Sequence, residues 1–224
     1  MKSTSSPKRQ TPSIREVSRR ENEARILKAA AIEFSQKGFD GATISEIAKG
    51  ANVPAANVHY YFATKEILYR RVLHDIQDVW ARPLVLFDEN ADPAEVLREY
   101  IRLKFVSARE NPIESRVFAN ELLHGAPYLE GYLRTTHNEK MDKLWRVFNA
   151  WIAKGLMDPI DPKALMYTLW AATQTYADFE VQIRAISRKE ALEEADYSNA
   201  AEQLSRIVLI GIGARERGTR PRTA

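Results

Sequence analysis

The sequence contains no cysteine and lacks the segments that mark membrane or secreted proteins. Without cysteine there can be no disulfide and no thiolate ligand for a metal. No apolar run approaches the roughly 18 residues that a membrane span needs, and the N-terminus has no secretory pattern. We therefore expect a cytoplasmic protein that has no membrane partner.

Strand patterns and catalytic motifs are also missing. Glycine and proline number nine and ten in 224 residues, and no stretch alternates apolar and polar side chains as a half-buried strand does. The four histidines have no spacing typical of a metal site, and there is neither a glycine-rich phosphate loop nor a nucleophile motif. These absences predict an all-α protein that is not an enzyme and needs no cofactor.

The stretch TISEIAKGANVPAANVHYYFATKEIL, residues 43–68, has the pattern of two short helices, a tight turn between them, and the start of a third helix. Thr43 and Glu46 have the spacing of a capping box, so a helix should begin at Ile44. A turn of three or four residues should follow, and Pro54 suits the first turn of the next helix. Val58 is the one clear apolar anchor of that second helix.

An earlier amphipathic helix, predicted at Glu21–Lys37 and ended by Gly38, would complete a three-helix domain at residues 21–66. A helix-turn-helix of this kind usually places its second helix against DNA. The sequence therefore predicts an N-terminal DNA-binding domain.

Positive charge is concentrated at the two ends of the chain. Residues 1–80 carry 13 Lys and Arg against 9 Asp and Glu, residues 81–213 carry 16 against 20, and residues 214–224 carry 4 against 1. Residues 1–20 and 214–224 show no periodicity and are predicted to be a disordered basic arm and tail. An inert arm and one that adds non-specific DNA affinity explain the composition equally well.

Helical periodicity continues through residues 67–213, which predicts a larger second domain. Its helices predicted at Pro162–Ile186 and Asp196–Ile212 are apolar on two faces, so each must be covered on both sides. Packing within one subunit and a dimer interface both explain this, and we favour a homodimer because a helix-turn-helix needs two half-sites. The predicted interface residues are Leu165, Leu169, Ala172, Tyr176, Phe179, Ile183, Leu204, Ile207 and Val208.

An aromatic, an amide and a carboxylate are spaced by four in the helix predicted at Pro162–Ile186, so they share one face. Burying the amide and the carboxylate is costly unless each is paired, and a planar heterocycle would suit such a site. Structural hydrogen bonds or a place at the dimer interface explain Gln174 and Asp178 equally well. The predicted ligand-binding residues are Trp80, Phe118, Asn120, Trp170, Gln174 and Asp178.

The first 75 or so residues resemble the TetR family of bacterial regulators in the segments FSQKGFDGAT, ISEIAKGANV, YYF and TKEILY. The rest resembles one member group, the regulators of pyrimidine utilisation, in YIRLKFVSARENP, ELLHGAP, DPIDP and LWAATQTYADFEVQ. The resemblance implies a homodimer with an N-terminal DNA-binding domain and a larger helical ligand-binding and dimerisation domain.

The resemblance also implies which residues contact DNA. The major groove would receive Ala55, Ala56, Asn57 and His59, and phosphates would be contacted by Thr43, Tyr60, Tyr61 and Lys65.

This sequence departs from the common family pattern within the second helix, and we include Pro54 among the predicted contacts. Pro54 replaces a frequent serine, Ala56 a frequent glycine and His59 a frequent tyrosine. The small apolar side chains of Ala55 and Ala56 suggest contact with thymine methyl groups rather than a bidentate reading of guanine.

The function predicted from the sequence is that of a dimeric repressor that binds an inverted-repeat operator in double-stranded DNA. A small-molecule effector, a pyrimidine or related nitrogen heterocycle on the strength of the resemblance, would control its affinity. The alternative is a helix-turn-helix regulator without such an effector, controlled by a protein partner or always bound to DNA.

Overall fold

The structure, a computed structural model, describes residues 14–214, and every regular element in that range is helical. The prediction of an all-α fold is confirmed. The chain divides into two compact units, Met1–Val72 and Leu73–Ala224. Within the described residues, no helix has both the length and the apolar content that a bilayer crossing requires.

The first unit contains α1 (Ile14–Gly41), α2 (Ile44–Ala51), α3 (Ala55–Tyr61) and the start of α4 (Lys65–Ala81). α1 begins seven residues before the predicted start at Glu21, so the predicted basic arm was too long; residues 1–13 lie outside the described range. Gly38, the predicted end of the first helix, has a left-handed φ of 66° and interrupts α1 with a kink. Residues 215–224 of the predicted tail also lie outside that range.

The core of the first unit is built from α1, α2 and α3 together with the first two turns of α4. The ring of Phe34 lies 4.7 Å from that of Tyr69, and Phe39 lies 5.1 Å from Tyr69. Because Leu68, Tyr69 and Val72 are buried, the first part of α4 belongs to this unit, and the division falls after Val72 rather than at the predicted residue 66.

The second unit is a helical body arranged around one central helix. Its helices after α4 are α5 (Pro93–Glu110), α6 (Pro112–Leu123), α7 (Glu130–Tyr132), α8 (Asn138–Ala153), α9 (Pro162–Asp178), α10 (Glu180–Ser187) and α11 (Glu194–Gly211). A 3₁₀ turn, Arg82–Leu86, follows α4, and a π-helical turn, Leu133–His137, joins α7 to α8. α5 packs against both α9 and α11 and so forms the centre of the body.

Two helices of the second unit, α5 and α9, start at an Asp-Pro pair. Asp92 Oδ1 accepts hydrogen bonds from the backbone N–H groups of Ala94 and Glu95 at 2.8 and 3.2 Å, and Asp161 Oδ1 accepts one from Lys163 at 2.9 Å. In both helices the proline occupies the first turn, where its missing N–H costs nothing.

Two helical segments of the second unit are interrupted. Between α7 and α8 the π-helical turn inserts extra backbone and shifts the faces that follow it. The helix predicted at Pro162–Ile186 breaks at Phe179 (φ −117°, ψ 27°), where α9 ends and α10 begins.

Part of the predicted dimer interface lies instead in the core of the second unit. Leu165, Leu169 and Val208 are 6%, 0% and 7% exposed and pack within that core, so they are unavailable to a partner and their prediction was wrong. The cause is that the inner faces of α9 and α11 cover α5. Tyr176 and Leu204 are half-buried against the same core.

Candidate nucleic-acid interface and ligand cavity

Thr43 caps α2, as the sequence predicts. Its Oγ1 accepts a hydrogen bond from the backbone N–H of Glu46 at 3.2 Å. The Glu46 carboxylate lies 3.7 Å from Lys49 Nζ on the helix surface, so only the hydroxyl half of the predicted capping box is present. The hydroxyl of Thr43 therefore holds the start of α2, and its side chain is exposed.

The turn between α2 and α3 is closed by Asn52, which adopts the left-handed conformation (φ 54°, ψ 49°). Its N–H donates to the carbonyls of Ala48 and Lys49, which end α2. Pro54, which was predicted to lie in the first turn of the second helix, is extended (φ −60°, ψ 145°) and is the N-cap residue of α3. The two helices are thus joined by a three-residue turn, as a helix-turn-helix requires.

α3 is attached to the first unit mainly through one side chain. Val58 is fully buried, while Ala55, Ala56, Asn57 and His59 are exposed on the helix surface. All four of the predicted groove-facing residues are therefore accessible.

The two tyrosines at the end of α3 differ in burial. Tyr60 is 76% exposed, whereas Tyr61 is half-buried. Their ring centroids lie 5.2 Å apart with the planes at 89°, an edge-to-face arrangement that holds the exposed ring in place. The phenol of Tyr60 is therefore the better placed of the two to meet a ligand outside the unit.

Lys65, predicted to contact a phosphate, is engaged within the first unit. Its Nζ donates to the carbonyls of Phe39, Ala42 and Asp40 at 2.7, 3.0 and 3.4 Å. It also lies 4.5 Å from the centre of the Phe39 ring. A cation at the carbonyl end of a helix is stabilised by the helix dipole, so this ammonium fixes the end of α1 against the start of α4.

A cavity of about 230 Å³ lies in the second unit and is bordered by α4, α5, α6 and α9 and by the π-helical turn. Four of the six residues predicted to bind ligand lie on its wall: Trp80, Phe118, Trp170 and Gln174. The rings of Trp80 and Phe118 meet edge to face at 4.6 Å. Residues far apart in sequence thus form one aromatic surface with an amide beside it.

The other two predicted residues are not on that wall. The Asp178 carboxylate accepts a hydrogen bond from Ser115 Oγ at 2.6 Å, and burial raises the pKa of this carboxyl group. The carbonyl of Asn120 lies 2.7 Å from His124 Nδ1. Asp178 therefore has the structural hydrogen bond that was the alternative to ligand binding.

The sequence reading missed four polar residues of the cavity wall, which are Gln77, Lys104, His137 and Lys140. Gln77 and Lys104 occupy inward positions of amphipathic helices, beside Ile76 and Phe105 respectively. A polar residue at an inward position was the only signal in the sequence that could have indicated them. Burial lowers the pKa of His137, and the charge of Lys140 lowers it further.

The hydroxyl of Tyr100 also lies on the wall and accepts a hydrogen bond from Trp170 Nε1 at 2.8 Å. Burial raises the pKa of Tyr100 well above its usual range, so this phenol stays neutral. The bond fixes the Trp170 ring, which is half-buried on α9. The aromatic wall is therefore held in place by a hydrogen bond as well as by packing.

Lys104 is 7% exposed, and its Nζ lies 4.8 Å from the centre of the Trp80 ring. Burial lowers the pKa of its ammonium to about 8, although the charge of Asp178 acts in the opposite direction. The drop from the ordinary lysine value of 10.5 corresponds to roughly 3 kcal/mol of lost stability while the amine is charged. A residue that destabilises the folded state at a cavity wall is a functional candidate.

The Lys104→Met substitution is expected to raise the melting temperature at pH 7 by several degrees. Below pH 8 the amine is charged in the folded and the unfolded state, so the whole burial cost is present. Between pH 8 and 10.5 the folded state loses the proton first, and the cost disappears. The advantage of the variant, measured by calorimetry, should therefore shrink from pH 7 to pH 10.

The exposed Lys143 offers a matched control, because Lys143→Met removes a lysine charge from the same unit without removing a buried one. Its melting temperature should differ little from that of the unmodified protein at either pH. A Lys104→Met variant that melts below the unmodified protein at pH 7 would show that the contacts of the ammonium outweigh its burial.

Comparison with protein families matches both units. Residues 26–72 match the bacterial regulatory proteins of the tetR family, and residues 73–215 match the C-terminal region of YcdC-like proteins. The boundary between the two matches coincides with the division of the structure after Val72.

Two curated regulators are similar over much of the chain. The HTH-type transcriptional regulator RutR of Escherichia coli (strain K12) is 40% identical over 190 residues, which cover 85% of this chain and 90% of RutR. The HTH-type transcriptional repressor KstR2 of Mycobacterium tuberculosis (strain ATCC 25618 / H37Rv) is 25% identical over 158 residues, covering 67% of this chain and 79% of KstR2.

Solved structures share the fold. A transcriptional regulator from Streptomyces coelicolor, SCO4942, has a TM-score of 0.64 and 26% identity, covering 87% of this chain and 99% of its own. The structure of KstR2 has a TM-score of 0.68 and 22% identity, covering 92% and 98%. These family matches, together with the exposed second helix of the helix-turn-helix, lead to one conclusion: the chain belongs to the TetR family, and it is a DNA-binding transcriptional regulator, not an enzyme.

Proposed function

We propose that the protein is a homodimeric repressor whose affinity for an inverted-repeat operator is controlled by a pyrimidine or a related nitrogen heterocycle. The observation that carries this proposal is α3, which buries Val58 and leaves its other side accessible beside the phenol of Tyr60. A helix attached in this way can enter a major groove without loss of its own core.

The exposed side chains of α3 divide into two kinds. Asn57 and His59 carry groups that can hydrogen-bond base edges, and Ala55 and Ala56 suit thymine methyl groups. Tyr60 lies at the end of the helix, where a phosphate contact would set the register. We thus propose that Ala55, Ala56, Asn57 and His59 read the bases. Phosphate contacts are proposed for Tyr60, Tyr61 and Thr43.

We assign Lys65 a positioning role in this proposal, in place of the phosphate contact implied by family resemblance. Its three carbonyl partners hold the end of α1 to the start of α4. Loss of this ammonium would weaken DNA binding through the shape of the first unit rather than through a missing contact.

Two substitutions separate contact from positioning. Tyr60→Ala is expected to keep the melting temperature, because the ring is exposed, and to weaken binding to promoter DNA about tenfold at every salt concentration, because the lost phenol is neutral and releases no counterion. Lys65→Met is expected to lower the stability of the first unit by about 1–2 kcal/mol, because three carbonyls lose a charged donor. Calorimetry and gel shift across a salt series provide both measurements.

Ser45 supplies the control for these variants, because it is exposed on α2 and lies outside the proposed contacts. Ser45→Ala should change neither property by much. The assignment fails if Tyr60→Ala binds promoter DNA as tightly as the unmodified protein, and the positioning role fails if Lys65→Met melts normally.

Exposed apolar side chains on the last helices support the homodimer. Phe179, Ile207 and Ile210 are 58%, 68% and 72% exposed, and Val181 and Ile186 are more than two-thirds exposed. Several large apolar side chains exposed on successive helices indicate a candidate interaction site. Among the predicted interface residues, Phe179 and Ile207 are therefore the strongest candidates for contact with a partner subunit. Ala172 and Ile183 are half-buried.

Ile207→Asp is expected to shift the protein from dimer to monomer in sedimentation equilibrium, because a carboxylate would have to be buried at the interface. Val85→Asp is the control: Val85 is 84% exposed but lies on the 3₁₀ turn, away from α10 and α11 in sequence. A dimer that survives Ile207→Asp would contradict the proposed interface, and so would a monomeric unmodified protein.

The cavity supports a small planar effector. A volume of about 230 Å³ is at or below the small end of ligand sites, which suits a single ring better than a large lipid. Aromatic rings from α4, α6 and α9 offer stacking surfaces, while Gln174 can both donate and accept hydrogen bonds. The pyrimidine class itself rests on the likeness of the second unit to RutR.

Control of DNA binding is proposed to pass through α4. This helix begins with Lys65 in the first unit and carries Trp80 on the cavity wall. An effector that favours one position of α4 over another would change the separation of the two α3 helices in a dimer, and the half-site spacing would no longer match.

Uracil at about one hundred times its dissociation constant should raise the melting temperature by roughly 5–10 °C. The same addition should release promoter DNA in a gel shift. Trp170→Ala is expected to lose most of the thermal shift, because the aromatic wall loses one of its two indole rings. Val85→Asp, which leaves the cavity intact, should keep it.

A panel of uracil, thymine, cytosine and dihydrouracil tests the ligand class as a whole. If none of them shifts the melting temperature, the pyrimidine proposal is wrong. DNA binding would then stand with a different effector or with control by a protein partner.

A further inference from the structure

Gln77 has a buried amide that the protein itself does not satisfy. Three buried side-chain atoms in residues 14–214 have no hydrogen-bond partner: Glu33 Oε1, Gln77 Nε2 and Arg184 Nε. The first lies 2.8 Å from Lys37 Nζ and the third 3.3 Å from Glu180 Oε1, so each has an ion pair. Gln77 Nε2 is therefore the buried polar atom among these three with neither kind of partner.

Gln77 is one of the residues that line the cavity. Gln77 is 7% exposed and precedes Trp80 by three residues, so the two side chains share one face of α4. The Nζ of Lys104 lies over the same Trp80 ring at 4.8 Å. Two donors, one neutral and one cationic, are thus placed near one edge of the aromatic wall.

An unpaired buried N–H carries the full cost of its lost hydration. Native proteins leave few such groups, and an unpaired one at a cavity suggests a partner that binds from outside the chain. Leucine and methionine occupy other buried positions of this core, and either residue at position 77 would avoid the cost of an unpaired N–H.

We propose that Gln77 is a ligand-binding residue that donates its Nε2–H to an oxygen acceptor on the effector and selects ligands that carry such an oxygen at the ring edge facing α4. This inference rests on the proposed function of the cavity as an effector site. It also gives the effector a direct hydrogen bond to the helix that begins with Lys65.

The ligand-free protein provides the first test. Gln77→Met keeps the length of the side chain but removes the unpaired donor, so the variant is expected to melt at or above the temperature of the unmodified protein. Asp78→Asn, at the next and exposed position of α4, serves as the control for a change in this helix. A Gln77→Met variant that melts several degrees lower would show that the amide is structural and would overturn the proposal.

Ligand binding provides the second test. Uracil, pyrimidin-2-one and pyrimidin-4-one form a matched set, because each pyrimidinone lacks one of the two oxygens of uracil. In calorimetric titrations Gln77→Met should weaken uracil about tenfold, the loss of one hydrogen bond. It should weaken one of the two pyrimidinones similarly and leave the other within about twofold, whereas Asp78→Asn should affect none.

The outcomes separate this inference from the proposed function. If Gln77→Met binds uracil as tightly as the unmodified protein, the donor role is wrong while the effector site stands. An equal loss for all three compounds would also overturn it, because selection by one oxygen would be absent. If the unmodified protein binds none of the compounds, the pyrimidine proposal fails, and the ligand-free melting comparison alone decides the role of Gln77.

Discussion

In the first unit, α3 keeps its position although little of its surface is buried. Seven residues form this helix, and Val58 is the only one of them that is fully buried. A helix this short is not stable in isolation, so its position comes from the turn at Asn52 and from the neighbouring core. Because so few of its residues are buried, most side chains of α3 are exposed, which a DNA-reading helix requires.

α4 begins in the first unit and continues into the second. Its start is fixed by Lys65, whose ammonium reaches three carbonyls at the end of α1. Farther along, Gln77 and Trp80 contribute to the cavity wall. α4 is therefore an element of both units, which is why control by a ligand is proposed to pass along it.

Local signals in the sequence were sufficient for most helix starts. Thr43 caps α2 as expected, since capping depends on residues only two or three positions apart, and Asp92 caps α5 by the same local rule. The sequence also indicated apolar side chains on two faces of α9 and α11. Which face turns inwards could not be deduced, because that depends on the position of α5, and Leu165 and Val208 were therefore assigned to the wrong side.

Other features depend on contacts between distant parts of the chain and leave no local mark. Phe179 interrupts a helix without glycine or proline, so periodicity alone continued the helix through it. Lys65 follows a helix cap, a position that suggests phosphate contact, yet its partners lie more than twenty residues earlier. Trp170 and Gln174 of the cavity were predicted from their spacing on an otherwise apolar helix, whereas Lys104 was overlooked because a single lysine in a helix gives no such signal.

The second unit differs from a purely hydrophobic helical body because polar residues line its cavity. Lys104 and Gln77 both occupy positions where an apolar side chain would stabilise the fold, and Lys104 carries its charge at a cost of roughly 3 kcal/mol. Such a cost is a large part of the net stability of an ordinary domain. A ligand that supplies an acceptor to these groups would recover part of it on binding. The free energy recovered on binding would then make the position of α4 depend on the ligand, which a ligand-controlled regulator requires.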